Sequence, residues 1–267
     1  YINEMWRNNS RGNVGTYWNS NDAWYAVTRR ADTTTYPVFT ITYAQPVLVA
    51  PGNFTWVTRA HNAIRWEWNH ATNARWYELI APSGLSSVPT VVATNLFRFY
   101  EVTPGVYRYY VDETSLTENT CYVRSARGDN EIGEGPAAPW DQVATLARNP
   151  VVPTAPAATD GDFTVATNLM QATLNFSYLM PGLGAAAGCD DVINHSEIQA
   201  RLVSCTTGAA IPSTQASTTT GSVVLTSTES CGHIEVRYVN IDGIPTSWVR
   251  TNFQVAFSQG LAIPGDF

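Results

Sequence analysis

Apolar and polar positions alternate along several short stretches of this chain. In AIRWEWN, residues 63–69, the alternation places Ile64, Trp66 and Trp68 on one face and charged residues on the other. A period of two with one polar face is typical of a strand in an antiparallel sheet. An apolar period of 3.6 residues is not sustained in any window. The pattern therefore predicts an all-β protein.

The alternating pattern recurs about one hundred residues later. GNFTWVTRAHNAIRWEW begins at Gly52 and GDFTVATNLMQATLNFSY begins at Gly161, and both run from Phe-Thr into an alternating strand. In the second copy this strand is expected to bury Leu174, Phe176 and Tyr178. A repeat of this length is typical of one β-sandwich module.

The halves downstream of these copies are also similar to each other. CYVRSARGDNEIGEGPAAPWDQVATL and HIEVRYVNIDGIPTSWVRTNFQVAF each contain Val-Arg, a Gly-containing turn, a Pro, a Trp and a last strand. Residues 24–44 have the pattern of the same hairpin a third time, and 259–267 are similar to 46–54. The sequence is therefore expected to begin inside one module and to stop at the first strand of another.

The residues before the first of these hairpins resemble a known family. Leu116, Thr120 and Tyr122 have the spacing of the corner that leads into strand F of a fibronectin type III module. The family usually has proline where this chain has Glu118, and Trp68 stands at the position of the family's core tryptophan. The resemblance implies that the tyrosine hydroxyl bonds back to upstream backbone.

This resemblance implies tandem antiparallel β-sandwich modules of the fibronectin type III or immunoglobulin-like kind. The expected domains are a partial module, extra hairpin or strand-donating segment at 1–45, a module at 46–148, a Pro/Ala linker at 149–160, a second module at 161–258, and the start of a following module or a tail at 259–267.

Four cysteines allow three pairings. In the module topology Cys205 ends the predicted strand C and Cys231 begins the neighbouring strand F, so this pair has suitable geometry. Cys121 and Cys189 lie at module ends that face each other across the linker, which predicts an inter-module disulfide. The alternative is that Cys121 is a buried free thiol. Disulfides imply an oxidising, extracellular compartment.

Composition excludes several classes of function. The net charge of −7 disfavours a nucleic-acid or anionic-membrane partner. All 15 basic residues are arginine, so neither a Schiff-base lysine nor a phosphate-loop lysine exists. No apolar run is long enough for a membrane span. The sequence also has no nucleophile elbow and no metalloprotease motif. These observations predict a protein that is not an enzyme.

An Arg-Gly-Asp tripeptide, Arg127, Gly128 and Asp129, falls in the predicted F–G turn. An exposed turn of this kind can offer its aspartate to a metal in an integrin-like partner, as adhesive fibronectin type III modules do. Gly and Asp also suit a turn for backbone reasons alone. The tripeptide is therefore a candidate adhesion turn, but the structural explanation is the stronger one.

Other candidate sites are defined by residue type. Asp190, Asp191 and Glu197, with His195, supply oxygen-rich chemistry for calcium in a long B–C loop, although the spacing matches no EF-hand and such loops are commonly only solvated. Four sequons permit glycosylation, at Asn8, Asn53, Asn175 and Asn194. Aromatic residues that could stack on sugars, or simply form core, are Trp6, Trp18, Trp24 and Trp76.

The function expected from the sequence is that of a non-enzymatic extracellular structural or adhesive protein, such as the repeating subunit of a surface filament or layer. Its expected partners are copies of itself, with other surface proteins or glycans. No cofactor is expected, and a bound calcium ion is the alternative. The alternatives are a spacer or carbohydrate-binding region of a secreted polysaccharide-degrading enzyme, and a projecting domain of a virion or phage appendage.

Overall fold

A computed structural model describes residues 15–18, 24–27, 47–83, 89–94, 97–184, 189, 196–212 and 214–258. The chain divides into two compact units, Tyr1–Gln45 and Pro46–Phe267. In the first unit the described residues form a two-stranded antiparallel hairpin, with Gly15 opposite Val27 and Trp18 opposite Trp24. Within the described part of the chain, no helix has the length and apolar character needed to cross a membrane.

The described strands are short and antiparallel. They are β1 (Gly15–Trp18), β2 (Trp24–Val27), β3 (Thr55–Arg59), β4 (Ala63–Asn69), β5 (Trp76–Ala81), β6 (Thr90–Thr94), β7 (Arg98–Thr103), β8 (Val106–Thr114), β9 (Cys121–Asn130), β10 (Gly133–Ala137), β11 (Asp141–Ala144), β12 (Phe163–Asn168), β13 (Gln171–Phe176), β14 (Glu197–Ser204), β15 (Ala216–Thr218), β16 (Ser222–Thr226), β17 (Cys231–Val239), β18 (Val249–Arg250) and β19 (Val255–Ala256).

The first sandwich packs the sheet β3-β4-β8-β7 against the sheet β10-β9-β5-β6, with β11 also paired to β9. Its core is aromatic: Trp66 and Trp68 are fully buried, and the ring of Phe54 stacks on Trp66 at 5.4 Å. Tyr77 meets Trp68 edge-on from the opposite sheet. Rings of this size fill the space between the sheets, because each inward position alternates with an outward one.

The second sandwich packs the sheet β12-β13-β16 against the sheet β15-β14-β17-β18, with β19 also paired to β17. Its core includes Phe163, Leu174, Ile198, Ile234 and Tyr238. This order, strands A-B-E against C′-C-F-G, is that of a fibronectin type III-like module. The first sandwich differs by one additional edge strand, β7, beside β8.

The alternating pattern predicts burial correctly along β4, where Ile64, Trp66 and Trp68 are all buried. Glu67 lies on the opposite face but is also buried, and the hydroxyl of Tyr100, two strands away in the same sheet, donates to its carboxylate at 2.9 Å. The edge strand therefore supplies a partner for a position that the pattern assigns to solvent.

The pattern fails at the end of the equivalent strand in the second sandwich. Leu174 and Phe176 are buried as expected, but β13 ends at Phe176. Tyr178 lies beyond the strand, is only half-buried, and carries the guanidinium of Arg148 over its ring at 4.0 Å. It belongs to the contact between the sandwiches as well as to the edge of the core.

Candidate functional site: the junction between the two sandwiches

The junction begins at the corner that leads into β9. The backbone N–H of Thr117 donates to the hydroxyl of Tyr122 at 2.8 Å, which confirms the tyrosine-corner geometry expected from the sequence. Thr145, just after β11, also anchors this corner, since its hydroxyl donates to the carbonyl of Thr117 at 2.7 Å. The bonded corner holds Glu118 and Asn119 against the second sandwich.

A disulfide crosses the junction. Cys121, at the start of β9, is bonded to Cys189, which lies 68 positions later in the second half of the chain. Ala144 and Ile241 complete a small buried apolar cluster around the bond. The other disulfide joins Cys205 to Cys231 within the second sandwich. The structure thus has the two pairings that the sequence favoured.

Asn119 binds the second sandwich with both polar atoms of its side chain. It is 1 % exposed and has a positive φ of 48°, a conformation that asparagine tolerates better than most residues. Its amide nitrogen donates to the carbonyl of Pro181 at 2.7 Å, and its amide oxygen accepts from the backbone N–H of Ile241 at 2.7 Å. One side chain thus satisfies two backbone groups of the second sandwich.

Glu118 and Arg148 form a second, charged layer. Glu118 is buried and accepts from the backbone N–H of Arg148 at 2.9 Å, and the hydroxyl of Tyr178 donates to the same carboxylate. The Arg148 guanidinium lies 3.4 Å from Glu118 and 2.9 Å from Asp162. Glu118, the departure from the family pattern at this corner, therefore joins Asn119 in binding the corner to the second sandwich.

Asp162 accepts further hydrogen bonds in this charged layer. Its carboxylate accepts from the N–H of Val151 at 2.8 Å and from the hydroxyl of Tyr238 at 2.6 Å. Burial, then the hydrogen bond to Asp162, raises the pKa of Tyr238 well above its ordinary value. Burial alone would lower the pKa of Arg148, but its bonds to Asp162 and Tyr178 raise it. Both donors therefore stay protonated over the whole physiological range.

The segment between the sandwiches is folded against them. Ala147 is buried in the core of the second sandwich, so no free spacer separates β11 from that core. Val151 and Asp162 exchange hydrogen bonds, which closes the loop that contains the predicted Pro/Ala linker. A Cβ on Gly161 would lie 2.4 Å from the backbone nitrogen of Pro153, so only glycine fits at this closure.

A third contact lies beside the disulfide. The guanidinium of Arg59, at the end of β3, binds the carboxylate of Asp242 at 2.6 Å and the carbonyl of Ala144 at 2.9 Å. The side chain of Asn240 donates to the carbonyl of Thr145 at 3.2 Å. The loop after β17 is thus held by two strands of the first sandwich.

Sequence reasoning found the cysteines of this junction but missed its polar residues. Glu118 was recognised only as a departure from the family pattern, and Asn119, Arg148 and Asp162 were not singled out. One signal was available: Asp162 and Asn53 occupy the same place in the repeated motif, yet Asp162 is buried and Asn53 is exposed. An acidic residue at a position that is amide in the other copy indicated a local ion pair.

The structure corrects the predicted placement of the Arg-Gly-Asp tripeptide in the F–G turn. Arg127, Gly128 and Asp129 lie within strand β9, and the turn follows Asn130. Arg127 is buried and binds Glu78 at 2.6 Å. Residues 127–129 all pair in register with β5, so the hairpin extends further than the Gly-rich sequence suggested.

The packing around Gly128 requires glycine at this position. A Cβ at this position would lie 2.7 Å from the Cβ of Ala74, a separation that two carbon atoms do not tolerate. Gly128 is itself buried. The tripeptide is therefore explained by the strand and its neighbours.

The other predicted site residues fall partly outside the described part of the chain. Asp190 and Asp191 lie outside the described residues, as do His195, Asn8, Asn194 and Trp6. Glu197 starts β14 and accepts from the side chain of Gln199. The described residues hold no cluster of metal-ligating side chains. Asn53 and Asn175 are exposed, and Trp76 is half-buried. Trp18 and Trp24 are opposite each other in the β1–β2 hairpin.

A separate surface of the first sandwich is apolar and exposed. β7 is the last strand in its sheet among the described residues, and all six of its residues are exposed. We call this surface the β7 flank. Its exposed apolar residues, on β7 and the adjacent end of β8, are Phe99, Tyr100, Val102, Val106 and Tyr107. Edge strands with apolar side chains and no proline offer free backbone groups for pairing with another chain.

No family model matches this sequence, and no characterised protein matched it in a sequence comparison. Solved structures that align with this chain include two of chicken proteins. The two-domain fibronectin type III segment of chicken tenascin has a TM-score of 0.44 and 8% identity, over 77% of this chain and 98% of its own. The FN1–FN3 domains of chicken CNTN1 have a TM-score of 0.35 and 13% identity, over 81% and 68%. The strand order and the two cores give the fold: residues 47–258 form two fibronectin type III-like β-sandwiches.

Proposed function

We propose that this chain is a non-enzymatic, extracellular structural protein that holds two β-sandwiches in a fixed relative orientation within a self-associating assembly. The observation that carries the proposal is the junction, where a disulfide, an asparagine and a buried charged network bind one sandwich to the other. A flexible spacer needs none of these contacts, since polar linkers separate domains without them.

Two further observations support the location and the mode of assembly. Both cysteine pairs are disulfide-bonded, and structural disulfides persist in oxidising compartments. The β7 flank offers an unpaired strand edge with exposed apolar side chains. Addition of a strand at such an edge is a general route to protein association. Copies of the chain would therefore meet at the β7 flank while the junction sets their spacing.

Sedimentation velocity and negative-stain microscopy of the purified chain test this function. The wild-type protein is expected to form concentration-dependent polymers, and the double variant Phe99→Lys, Val102→Lys is expected to remain monomeric. Leu169→Lys is the matched control, because Leu169 is as exposed as Phe99, at 62 %, and lies in the second sandwich. A wild-type chain that stays monomeric but binds insoluble polysaccharide would overturn the proposal in favour of a carbohydrate-binding module.

A further inference from the structure

The two disulfides close loops that follow one another along the chain without overlapping. Cys121–Cys189 encloses residues 122–188, and Cys205–Cys231 encloses residues 206–230. The first loop contains almost all of β9 and the whole of β10 through β13, and the second contains β15 and β16. A stretching force on the chain must therefore cross each loop through a covalent bond.

This arrangement defines a path for tension through the described part of the second unit. Force that enters at β3 runs through β8 to Cys121 and crosses to Cys189. It then follows β14 to Cys205, crosses to Cys231 and leaves along β17 to β19. The strands that form one whole sheet of the second sandwich, β12-β13-β16, are outside this path.

We propose that the two disulfides and the junction together form an extension limiter, which lets the chain carry tension without being drawn out to its full length. The inference concerns the response of one molecule to force and does not depend on the proposed self-association. At about 3.6 Å per extended residue, residues 122–188 amount to roughly 240 Å of hidden chain and residues 206–230 to roughly 90 Å.

In the second sandwich, the two strands that carry the force are antiparallel neighbours, and the force would separate them starting from one end. β14 and β17 pair over eight positions, from Glu197 opposite Val239 to Ser204 opposite Gly232. Force enters and leaves at the Glu197–Val239 end, so the pair would open from that end. Opening must stop at the other end, where Cys205–Cys231 joins the two strands.

The junction protects the Glu197–Val239 end of this strand pair. Ile241 and Asp242 follow β17 directly, and they are bound to the first sandwich by Asn119 at 2.7 Å and by Arg59 at 2.6 Å. While these bonds last, the force passes from the first sandwich to the loop after β17 and bypasses the β14–β17 pair. Pulling from the C-terminal side must first detach β19 and β18 from β17. The expected order after that is release of the loop, followed by opening of β14 from β17 as far as the disulfide.

Optical-tweezers stretching of the full chain, tethered at its two ends, tests the proposal. The fully stretched reduced protein is expected to be longer than the oxidised protein by about 330 Å, the sum of both hidden loops. The Cys205→Ser, Cys231→Ser variant is expected to be longer than the oxidised wild type by about 90 Å. The reduced chain needs no native fold for this comparison, because its length is read after unfolding.

A second measurement separates the junction from the covalent bonds. Asn119→Gly is expected to lower the force at which the loop after β17 is released in the oxidised protein and to leave the final length unchanged. Equal lengths before and after reduction would overturn the proposed disulfide path. An unchanged release force in Asn119→Gly would overturn the role of the junction. Neither outcome depends on whether the chain forms polymers, so failure here and failure of the proposed function are distinguishable.

Discussion

The side-chain oxygen of Asn119 accepts a 2.7 Å hydrogen bond from the backbone N–H of Ile241, 122 residues further along the chain. The two residues belong to different sandwiches, and both are buried. A buried N–H without a partner is costly, so this bond makes the loop after β17 depend on the corner before β9. The relationship explains why the two sandwiches are expected to behave as one cooperative body.

Replacement of Asn119 tests this dependence. Asn119→Gly keeps the backbone conformation accessible but leaves the N–H of Ile241 and the carbonyl of Pro181 without their partner. We expect a loss of about 2–4 kcal/mol in the free energy of unfolding, measured by urea denaturation. Asn53→Gly is the control, since Asn53 also has a positive φ, 50°, but is exposed. Equal effects of the two substitutions would contradict the importance of the junction bonds.

Removal of Arg148 is expected to be more damaging than removal of a surface arginine. Arg148→Ala leaves Glu118 and Asp162 as buried carboxylates without their cation, which costs about 3 kcal/mol or more. Arg75→Ala, which breaks the exposed ion pair with Glu131, should change stability by less than about 0.5 kcal/mol. Calorimetry of both variants gives the comparison. A stability of Arg148→Ala equal to that of Arg75→Ala would show that the charged layer is not needed.

The raised pKa of Tyr238 predicts a loss of stability in alkali. The neutral hydroxyl is favoured in the folded protein by burial and by its bond to Asp162. Its contribution is therefore fully present below the ordinary tyrosine pKa of about 10 and is lost as the pH rises further, with a slope of up to about 1.4 kcal/mol per pH unit.

Urea denaturation between pH 8 and pH 11 measures this slope. Tyr238→Phe is expected to flatten it above pH 10, whereas Tyr107→Phe, at an exposed position of the β7 flank, should leave it as steep as in the wild type. A Tyr238→Phe variant with an unchanged alkaline slope would contradict the assignment.

The position of the Arg-Gly-Asp tripeptide inside β9 predicts that its residues support the fold and not adhesion. Gly128→Ala forces a Cβ to within 2.7 Å of Ala74 and should destabilise the protein by about 1–3 kcal/mol. Asp129→Asn changes the charge that an integrin-like partner would need, and it should leave cell attachment unchanged. Attachment that falls in Asp129→Asn while stability is retained would restore the adhesive interpretation.

The local pattern of apolar and polar residues was enough to predict the class of fold and much of each sandwich. The alternation around Trp66 and Trp68, the repeat of Gly52 at Gly161 and the tyrosine corner at Tyr122 are all short-range features, so they can be read from neighbouring residues. The cysteine pairing also followed, because the strand order of a module restricts which ends meet.

The same reasoning failed where burial depends on a distant element. Glu67 and Arg127 are charged residues of the kind that is usually exposed, yet both are buried. Tyr100 donates a hydrogen bond to the first, and Glu78 forms an ion pair with the second. Gly and Asp after Arg127 have turn propensities, but pairing with β5 extends the strand through them. Tertiary contacts override local propensity at these sites.

The sequence by itself determined that this protein is built of antiparallel β-sandwich modules and favoured the pairing of its cysteines, since both depend on short-range pattern and strand order. Only the tertiary structure decided that the two sandwiches are fused into one body. Glu118 and Asn119 lie at the corner before β9, whereas Arg148 lies before the predicted linker and Asp162 after it, and each has an ordinary polar side chain. These residues stabilise the junction only because the folded sandwiches exclude water around them. In that environment an unpaired polar group costs free energy, so the hydrogen bonds that satisfy it hold the two sandwiches together.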